Sequence, residues 1–419
     1  MSTHDPRKVI EDVRNHLAAH DRRLAFLFGA GTSSSVNIAP APAPGERPKH
    51  EPLIPGIDGL TEICARAVAA MGGTQASAWQ TLVAQCKQAG HPANVENVLS
   101  SVRMKMGAIG VGESLLGLDR EHLWEMERTI CRSIAAVACP AEEKIPKRTP
   151  HHNLAAWVKR VNRAAPLEVF TTNYDILFEQ AFEVSRVPVF DGFVGTHHAF
   201  FYSECLDDDD LLPRPKWVRL WKLHGSVNWH SEEDAEDRVA GKRIIRTQPS
   251  ETGEMILPSH WKYDESRKQP YMAYMDRLSR ILNQEHALLI TCGYSFGDQH
   301  INAILYGALD NRNTANVIAL QFQDLNEGDK LIDAALQRSN LTVIGPNGGV
   351  VSGVWGLWQL TEAVENKTSS LMDCAFDSNA LPEGESSPAA GSADLKGRMR
   401  LGDFNWFCRL LKGMGPDTQ

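Results

Sequence analysis

Short apolar runs that end in small or polar turns are the strongest constraint on how this chain can fold. A continuous run of about five apolar residues is typical of a strand buried on both faces, as in a parallel sheet. The carboxyl ends of parallel strands lie along one edge of the sheet, where open α/β folds bind their ligands. Together, four such turns predict a dinucleotide pocket with an Asn and a His at its reacting end. They are Gly29–Ser33, Thr171–Asp175, Leu223–Ser226 and Gly293–Asp298.

The order of apolar runs and helical patterns predicts an α/β fold. We expect a Rossmann-like, mainly parallel sheet with helices on both faces, because strand-like runs alternate with helical spacing after residue 165. Residues 58–139 show helical spacing without a strand signal, and predict a helical insertion over about 58–150. Trp355 and Trp358 are spaced to share one face of a helix. The predicted strands cover 24–28, 167–170, 218–223, 287–292, 317–320 and 341–344.

We expect one large domain followed by a tail. The α/β domain with its insertion should span residues 1–370. Residues 371–398 predict a linker, because most of this stretch is Ser, Pro, Gly, Ala and Glu. Residues 399–419 predict a C-terminal docking segment. Its apolar run 404–411 should pack on its own domain or on a neighbouring chain, as apolar tails beyond linkers usually do.

Composition argues against several classes of protein. The formal net charge of −9 gives no general attraction to phosphate backbones, so we expect no direct nucleic-acid binding. No run reaches the ~18 apolar residues that a membrane span needs, and the N-terminus has no apolar signal core. The eight cysteines include no Cys-x-x-Cys pair, so we expect no zinc site and a reduced, cytoplasmic protein.

Two polar clusters have ordinary structural interpretations. His151 and His152 could suggest a metal site, but no Cys, Asp or Glu stands at ligand spacing, and a helix N-terminus explains the pair better. The acidic run Asp207–Asp210 could bind a divalent ion, although a solvated loop is the simpler interpretation.

The turn Gly29–Ser33 follows the first strand-like run. Glycine lets the backbone approach a pyrophosphate, and the N–H groups and hydroxyls of Thr32 and Ser33 can bond to its oxygens. The full Gly-x-Gly-x-x-Gly pattern is absent, because position 34 is Ser. Taken alone, the segment fits a phosphate-binding turn or an ordinary strand-to-loop turn.

Polar side chains also follow the next two strand-like runs. Asn173 could hold a ribose hydroxyl or a water in a fixed direction, while Asp175 either joins the site or caps the following helix. His224 precedes Gly225, which leaves room for a ligand. An imidazole in that place could act as a general base, although a lone histidine is often structural.

The fourth turn follows the most apolar run of the chain. Its small residues, Gly293 among them, again permit close approach of the backbone. Ser295 is a candidate contact to a phosphate or ribose, and Asp298 is placed to cap the next helix.

In this order and at strand ends, the turns resemble the sirtuin superfamily. Gly29–Ser33 matches Gly-Ala-Gly-x-Ser, Thr171–Asp175 matches Thr-x-Asn-x-Asp, and Leu223–Gly225 matches Leu-His-Gly. The longer forms, such as Lys222–Ser226 and Gly293–Asp298, look closer to bacterial sirtuin-like domains of anti-phage defence systems. The resemblance spans about residues 20–345 and implies a Rossmann-like fold that binds NAD.

The resemblance also implies residue roles. Asn173 and Asp175 match the ribose and nicotinamide end, and His224 matches the catalytic base. The residues implied to bind NAD are Gly29, Ala30, Gly31, Thr32, Ser33, Thr172, Gly225, Gly293 and Ser295.

The implied activity is hydrolysis of NAD to nicotinamide and ADP-ribose, which would deplete NAD and arrest an infected cell. Protein-deacylating sirtuins carry two Cys-x-x-Cys pairs and an Ile-Pro-Asp-Phe-Arg-like segment. This chain lacks the pairs and has Pro55–Glu62 in place of that segment. The departures favour NAD hydrolysis over an NAD-dependent deacylase or ADP-ribosyltransferase. A non-catalytic sensor of NAD or ADP-ribose is the further alternative.

Uncontrolled NAD hydrolysis would poison the host, so we expect the activity to be gated by a partner or by assembly. The resemblance implies a HerA-type hexameric ATPase encoded alongside, and a homo-oligomer. The apolar run 404–411 is the candidate contact surface for that assembly.

Overall fold

The structure is a computed structural model of the chain. It describes residues 2–42, 46, 49–110, 112–213, 216–233, 242–250, 269–361, 370–378, 380 and 396–414. Within this part of the chain, none of the helices combines the length and the apolar character needed to span a bilayer.

The strands form one large sheet and two small ones. The large sheet has the order β1-β14-β13-β12-β11-β10-β2-β3-β7-β4, and the small sheets are β5-β6-β9-β8 and β15-β16. Their bounds are β1 (Thr3–His4), β2 (Leu24–Phe28), β3 (Leu167–Thr171), β4 (Val189–Phe190), β5 (Phe193–Val194), β6 (Phe200–Phe201), β7 (Val218–Lys222), β8 (Trp229–Glu233), β9 (Lys242–Arg246), β10 (Leu288–Cys292), β11 (Asn316–Leu320), β12 (Leu341–Ile344), β13 (Gly348–Val351), β14 (Val354–Trp358), β15 (Phe376–Asp377) and β16 (Arg398–Met399).

The helices cover both faces of the large sheet and form the insertion. Their bounds are α1 (Pro6–Ala18), α2 (Ala30–Ser34), α3 (Ile57–Ala70), α4 (Gly73–Gln88), α5 (Val95–Ala108), α6 (Arg120–Ala138), α7 (Pro150–Arg160), α8 (Leu177–Val184), α9 (Glu204–Asp207), α10 (Tyr271–Leu282), α11 (Gln299–Asn311), α12 (Lys330–Leu336), α13 (Ser370–Ala375) and α14 (Phe404–Gly413), with a 3₁₀ turn at Glu142–Lys144.

The centre of the large sheet is parallel, as the sequence predicts. The strands from β12 through β11, β10, β2, β3 and β7 to β4 pair in parallel, whereas β13 and β14 pair antiparallel. Strands β2, β3, β7 and β10 are buried along their whole length, because α1, α7, α8 and α14 cover one face and α10 to α12 cover the other. The fold is therefore α/β and Rossmann-like.

Helices α3 to α6 lie where the sequence predicts a helical insertion. They bury an apolar cluster of their own, which includes Val68, Leu82, Leu99 and Ile130. Asn94 caps α5 by accepting a hydrogen bond from the backbone of Asn97. The insertion therefore has a hydrophobic core separate from the two that pack against the sheet.

The C-terminal part differs from the sequence prediction in two places. Residues 371–377, predicted as linker, are helix α13 and strand β15, and Met372 and Phe376 join the main core because their side chains are apolar. Trp355 and Trp358 lie on strand β14 rather than on a helix. Residues 379 and 381–395 of the predicted linker lie outside the described residues.

Helix α14 packs inside its own chain. Phe407 meets Phe26 edge-on with ring centroids 6.0 Å apart, and Phe404 meets Phe28 at 5.2 Å. Leu410 is fully buried in the same cluster. The apolar face of residues 404–411 is covered in this way, so the docking segment packs on its own domain. The assembly into a homo-oligomer stays a prediction.

The acidic run Asp207–Asp210 is held by ion pairs to α10. The Nη1 atom of Arg277 lies 2.5 Å from Oδ1 of Asp209, and Nη2 of Arg280 lies 3.2 Å from Oδ1 of Asp207. All four carboxyl side chains of the run are nevertheless exposed, which agrees with its interpretation as a solvated acidic segment.

His151 is a buried titratable group in the main core. Its ring packs edge-on against Phe178 and Phe404, with centroids 4.6 and 5.1 Å away. Neither ring nitrogen has a hydrogen-bond partner among the described residues. Burial lowers the pKa of His151 to about 3. Its neighbour His152 completes the capping box of α7 with Thr149, as expected for a helix N-terminus.

We expect His151 to make the fold sensitive to acid. Below the ordinary histidine pKa of ~6.5, the imidazole of His151 is protonated in the unfolded chain but stays neutral in the folded chain. The free energy of unfolding therefore falls as the pH drops. Urea unfolding gives the free energy of unfolding of wild type and of His151→Leu at about pH 7 and pH 5. Between these two pH values, we expect the variant to lose about 2 kcal/mol less than wild type loses. As a control, replacement of the exposed His20 by Ala should keep the wild-type dependence. Equal pH dependence in His151→Leu and wild type would contradict this assignment.

Candidate functional site

The candidate site lies where the strand order of the sheet reverses. β2 leads to β3 and β7 on one side, and β10 leads to β11 and β12 on the other, so the turns after β2 and β10 stand side by side. Such a switch point is the usual ligand site of an open α/β sheet. A cavity of about 550 Å³ opens there.

The turns after β2 and β10 are packed backbone to backbone. The N–H of Gly29 donates to the carbonyl of Cys292, and that of Gly31 donates to the carbonyl of Gly293. A Cβ at Gly31 would lie 2.6 Å from the Cα of Gly293, and Gly293 itself has a φ of +65°. These glycines are therefore required for the contact between the turns, in addition to any approach of a ligand.

Most residues predicted for the site meet on this cavity. They are Gly29, Ala30, Gly31, Ser33, Thr172, Asn173, Asp175, His224, Gly293 and Ser295. They come from four strand ends that lie up to ~270 residues apart in the sequence, and the parallel register brings them to one edge.

Two predicted contacts lie elsewhere. Thr32 is fully buried and does not line the cavity, because its hydroxyl donates to the carbonyl of Gly29 at 2.9 Å. Gly225 does not line it either, and its φ of +87° shows that the turn after β7 requires glycine for its backbone. The hydroxyl of Ser33 is also engaged within the protein, although Ser33 borders the cavity.

Asn173 is locked by two hydroxyls of the first turn. Its amide nitrogen Nδ2 donates to Oγ1 of Thr32 at 2.9 Å and to Oγ of Ser33 at 2.7 Å. Both amide hydrogens are thus used inside the protein. The carboxamide oxygen Oδ1 is then the atom that can accept a hydrogen bond from a ligand or a water.

Asp175 connects this network to the next helix. Its Oδ2 accepts from the hydroxyl of Ser33 at 2.6 Å, and its Oδ1 accepts from the backbone N–H of Leu177 at 3.1 Å. The carboxylate therefore holds Asn173 through Ser33 and also holds the start of α8.

Lys222 supports the same loop from beneath. The side chain is buried, and its ammonium group donates to the backbone carbonyls of Tyr174 and Asp175 and to Oε1 of Glu179 at 2.9 Å. Burial raises the pKa of Glu179, and the adjacent ammonium opposes that rise. The loop from Asn173 to Asp175 is consequently held on one side by the hydroxyls of the first turn and on the other by the ammonium group of Lys222.

His224 forms a pair that the sequence interpretation missed. Its Nε2 lies 3.2 Å from Oδ2 of Asp298, and the two side chains are only 8% and 7% exposed. Asp298 also caps α11, as predicted, by accepting from the backbone N–H groups of His300 and Ile301. Asp298 borders the cavity as well.

Other lining residues come from segments that were not assigned to the site. The insertion contributes Asn94 and Glu96, and the turn after β11 contributes Gln323. Gln323 could have been found from its place at a strand end. The proline-rich loop after α2 contributes Ile54 and Pro55 to the cavity lining.

Residues 167–344 match a family model described as a SIR2-like domain. The matched region includes Asn173, Asp175, His224 and Asp298, but not the first turn or the helical insertion. No curated protein matches this chain. The chain therefore has a sirtuin-like region, and SIR2-like domains are typically NAD-utilising enzymes.

Proposed function

We propose that this chain is an NAD glycohydrolase, which cleaves NAD to nicotinamide and ADP-ribose. The observation that carries the proposal is one cavity at the switch point of a sirtuin-like fold, bordered by both Asn173 and His224. The cavity volume of about 550 Å³ lies in the range of sites that take small organic ligands.

The reaction breaks the bond between ribose C1′ and the nicotinamide nitrogen. Nicotinamide leaves with the bonding electron pair, which neutralises its positive charge, so little acid assistance is needed. The oxygen of a water bonds to C1′, and one proton of that water passes to a base. The site must therefore hold the ribose, stabilise an oxocarbenium-like centre and direct a water.

The described side chains can divide these tasks. Oδ1 of Asn173 accepts a hydrogen bond from the water or a ribose hydroxyl, and its direction is set by Thr32 and Ser33. His224 takes the proton from water or a ribose hydroxyl. Asp175 keeps Asn173 in place through the hydroxyl of Ser33. A general base contributes about 10²–10⁴-fold to such a rate.

Water is the proposed acceptor because the sequence departs from protein-deacylating sirtuins. It has no Cys-x-x-Cys pair, and the segment Pro55–Glu62 replaces their Ile-Pro-Asp-Phe-Arg-like stretch. Residues Pro55 and Ile57 of that segment border the cavity. The segment that differs from the deacylating sirtuins is therefore part of the cavity lining, where an acyl-lysine or a water would approach the ribose.

The proposed biological role is depletion of NAD in anti-phage defence. Such an activity has to be restrained until infection, and the proposed control is a HerA-type ATPase partner or assembly into a homo-oligomer. Support for this role comes from the resemblance of the strand-end turns, particularly Lys222–Ser226 and Gly293–Asp298, to defence proteins.

Incubation of the purified protein with labelled NAD tests the activity, with and without a HerA-type ATPase encoded alongside it. We expect nicotinamide and free ADP-ribose in equal amounts. Label found on protein would indicate ADP-ribosyl transfer instead of hydrolysis. NAD loss that requires an acylated peptide would indicate deacylation. Tight NAD binding without turnover, with the partner present, would overturn the enzyme proposal and favour a sensor.

A further inference from the structure

The pair of His224 and Asp298 joins turns that are distant in the sheet. His224 follows β7 and Asp298 follows β10, with β2 and β3 between them. Strands β7 and β10 are thus three spacings apart, or about 14 Å. The two side chains reach over the intervening turns to a separation of 3.2 Å, so their contact depends on the whole strand-end edge.

The carboxylate of Asp298 is held from behind. Its Oδ1 accepts from the backbone N–H of His300 at 2.9 Å and of Ile301 at 3.2 Å. This use of Oδ1 leaves the carboxylate little rotational freedom and directs Oδ2 to Nε2 of His224. Both side chains are more than nine-tenths buried, so solvent screens the interaction weakly.

We infer that Asp298 is the positioning residue for His224 and determines which ring nitrogen carries the proton. A carboxylate only accepts hydrogen bonds, so Nε2 must donate, and the lone pair of the neutral ring then lies on Nδ1. Asp298 also stabilises the imidazolium that forms after proton uptake. The role in catalysis rests on the proposed NAD hydrolysis, whereas the assignment of the proton does not.

The proton balance of the step follows from this assignment. The proton released by the water or by a ribose hydroxyl bonds to Nδ1, while the Nε2 proton stays on the ring beside an ionised Asp298. Tyr174 lies near His224, with ring centroids 6.5 Å apart, and Asp175 borders the same cavity. Asp175 is already committed to Ser33 and Leu177.

The alternative is that Asp298 serves only as a helix cap, and two substitutions separate the roles. Asn and Ser cap helices about as well as Asp, so Asp298→Asn and Asp298→Ser should keep α11 and unfold close to the wild-type temperature. An Asn amide would donate to Nε2 and so place the ring proton on Nδ1. We expect kcat to fall at least ~100-fold in both variants with KM changed less than ~3-fold, because orientation and proton placement are lost rather than binding. Wild-type kcat in folded Asp298→Asn would overturn the inference.

A spectroscopic test is independent of activity. The ¹⁵N signals of the His224 ring, assigned by their loss in His224→Gln, report which nitrogen is protonated at mildly alkaline pH. We expect the proton on Nε2 in wild type and on Nδ1 in Asp298→Asn. A wild-type ring protonated on Nδ1 would overturn the inference even if NAD is hydrolysed. If wild type hydrolyses no NAD, the proposed function fails, and the spectrum still decides where the proton lies.

Discussion

His224→Ala and Asn173→Ala should each lower the rate of NAD hydrolysis at least ~100-fold, because one removes the base and the other removes the oxygen that orients the water or ribose. The His224→Ala protein should lose about 1–3 kcal/mol of stability, because Oδ2 of the buried Asp298 loses a partner while Oδ1 keeps its cap contacts to α11. The Asn173→Ala protein should lose about 1–3 kcal/mol of stability, because the hydroxyls of Thr32 and Ser33 lose a buried partner.

Matched control variants separate the loss of a catalytic group from a nonspecific effect of substitution on the enzyme. His122 and Asn311 are exposed residues outside the cavity, so His122→Ala and Asn311→Ala should hydrolyse NAD at the wild-type rate. Nicotinamide release measures the rates, and thermal unfolding checks each fold. Full activity in either His224→Ala or Asn173→Ala would remove that residue from the proposed mechanism.

Phe407→Ala should lower the free energy of unfolding by about 3–5 kcal/mol, as expected when a buried phenylalanine leaves a cavity in a packed core. Phe407 is fully buried against Phe26 of the central strand β2. Deletion of residues 400–419 removes Phe404, Phe407 and Leu410 together, so we expect little folded protein rather than a folded protein of altered oligomer size.

Lys412→Ala provides the control on the same helix, because this side chain points to solvent and should change stability by less than ~0.5 kcal/mol. Urea unfolding gives the free energies, and gel filtration gives the association state. A truncated protein that unfolds like wild type would contradict the placement of α14 in the core. Phe407→Ala at wild-type stability would do the same.

The sequence predicts best those strands and helices whose local pattern of apolar residues follows directly from which of their faces are buried. Strand β2 is a continuous apolar run, and β10 is apolar except at Thr291, because both faces of each strand are covered by helices. The pattern fails at β14, where Trp355 and Trp358 are three positions apart and were assigned to one helix face. In a strand, residues at this spacing lie on opposite faces, and Trp358 is buried while Trp355 is only partly so.

Residues 371–377 show that composition alone does not predict whether a short segment is folded. Residues 371–377 border a stretch rich in Ser, Pro and Gly, and they lack a long periodic pattern. Met372 and Phe376 nevertheless pack in the main core. A short element can be stabilised by a surface built from distant parts of the chain, and that surface is absent from any local window of sequence.

The sequence by itself determined the α/β class, the strand ends, and the polar residues that those ends present, because burial and backbone conformation restrict the residue types locally. Only the tertiary structure decided that Asn173 is held by Thr32 and Ser33, that Thr32 lies behind the cavity, and that His224 meets Asp298. These contacts depend on the order and register of the strands and on the directions in which their turns converge. Such relations come from packing the sheet as a whole, and no single segment encodes them.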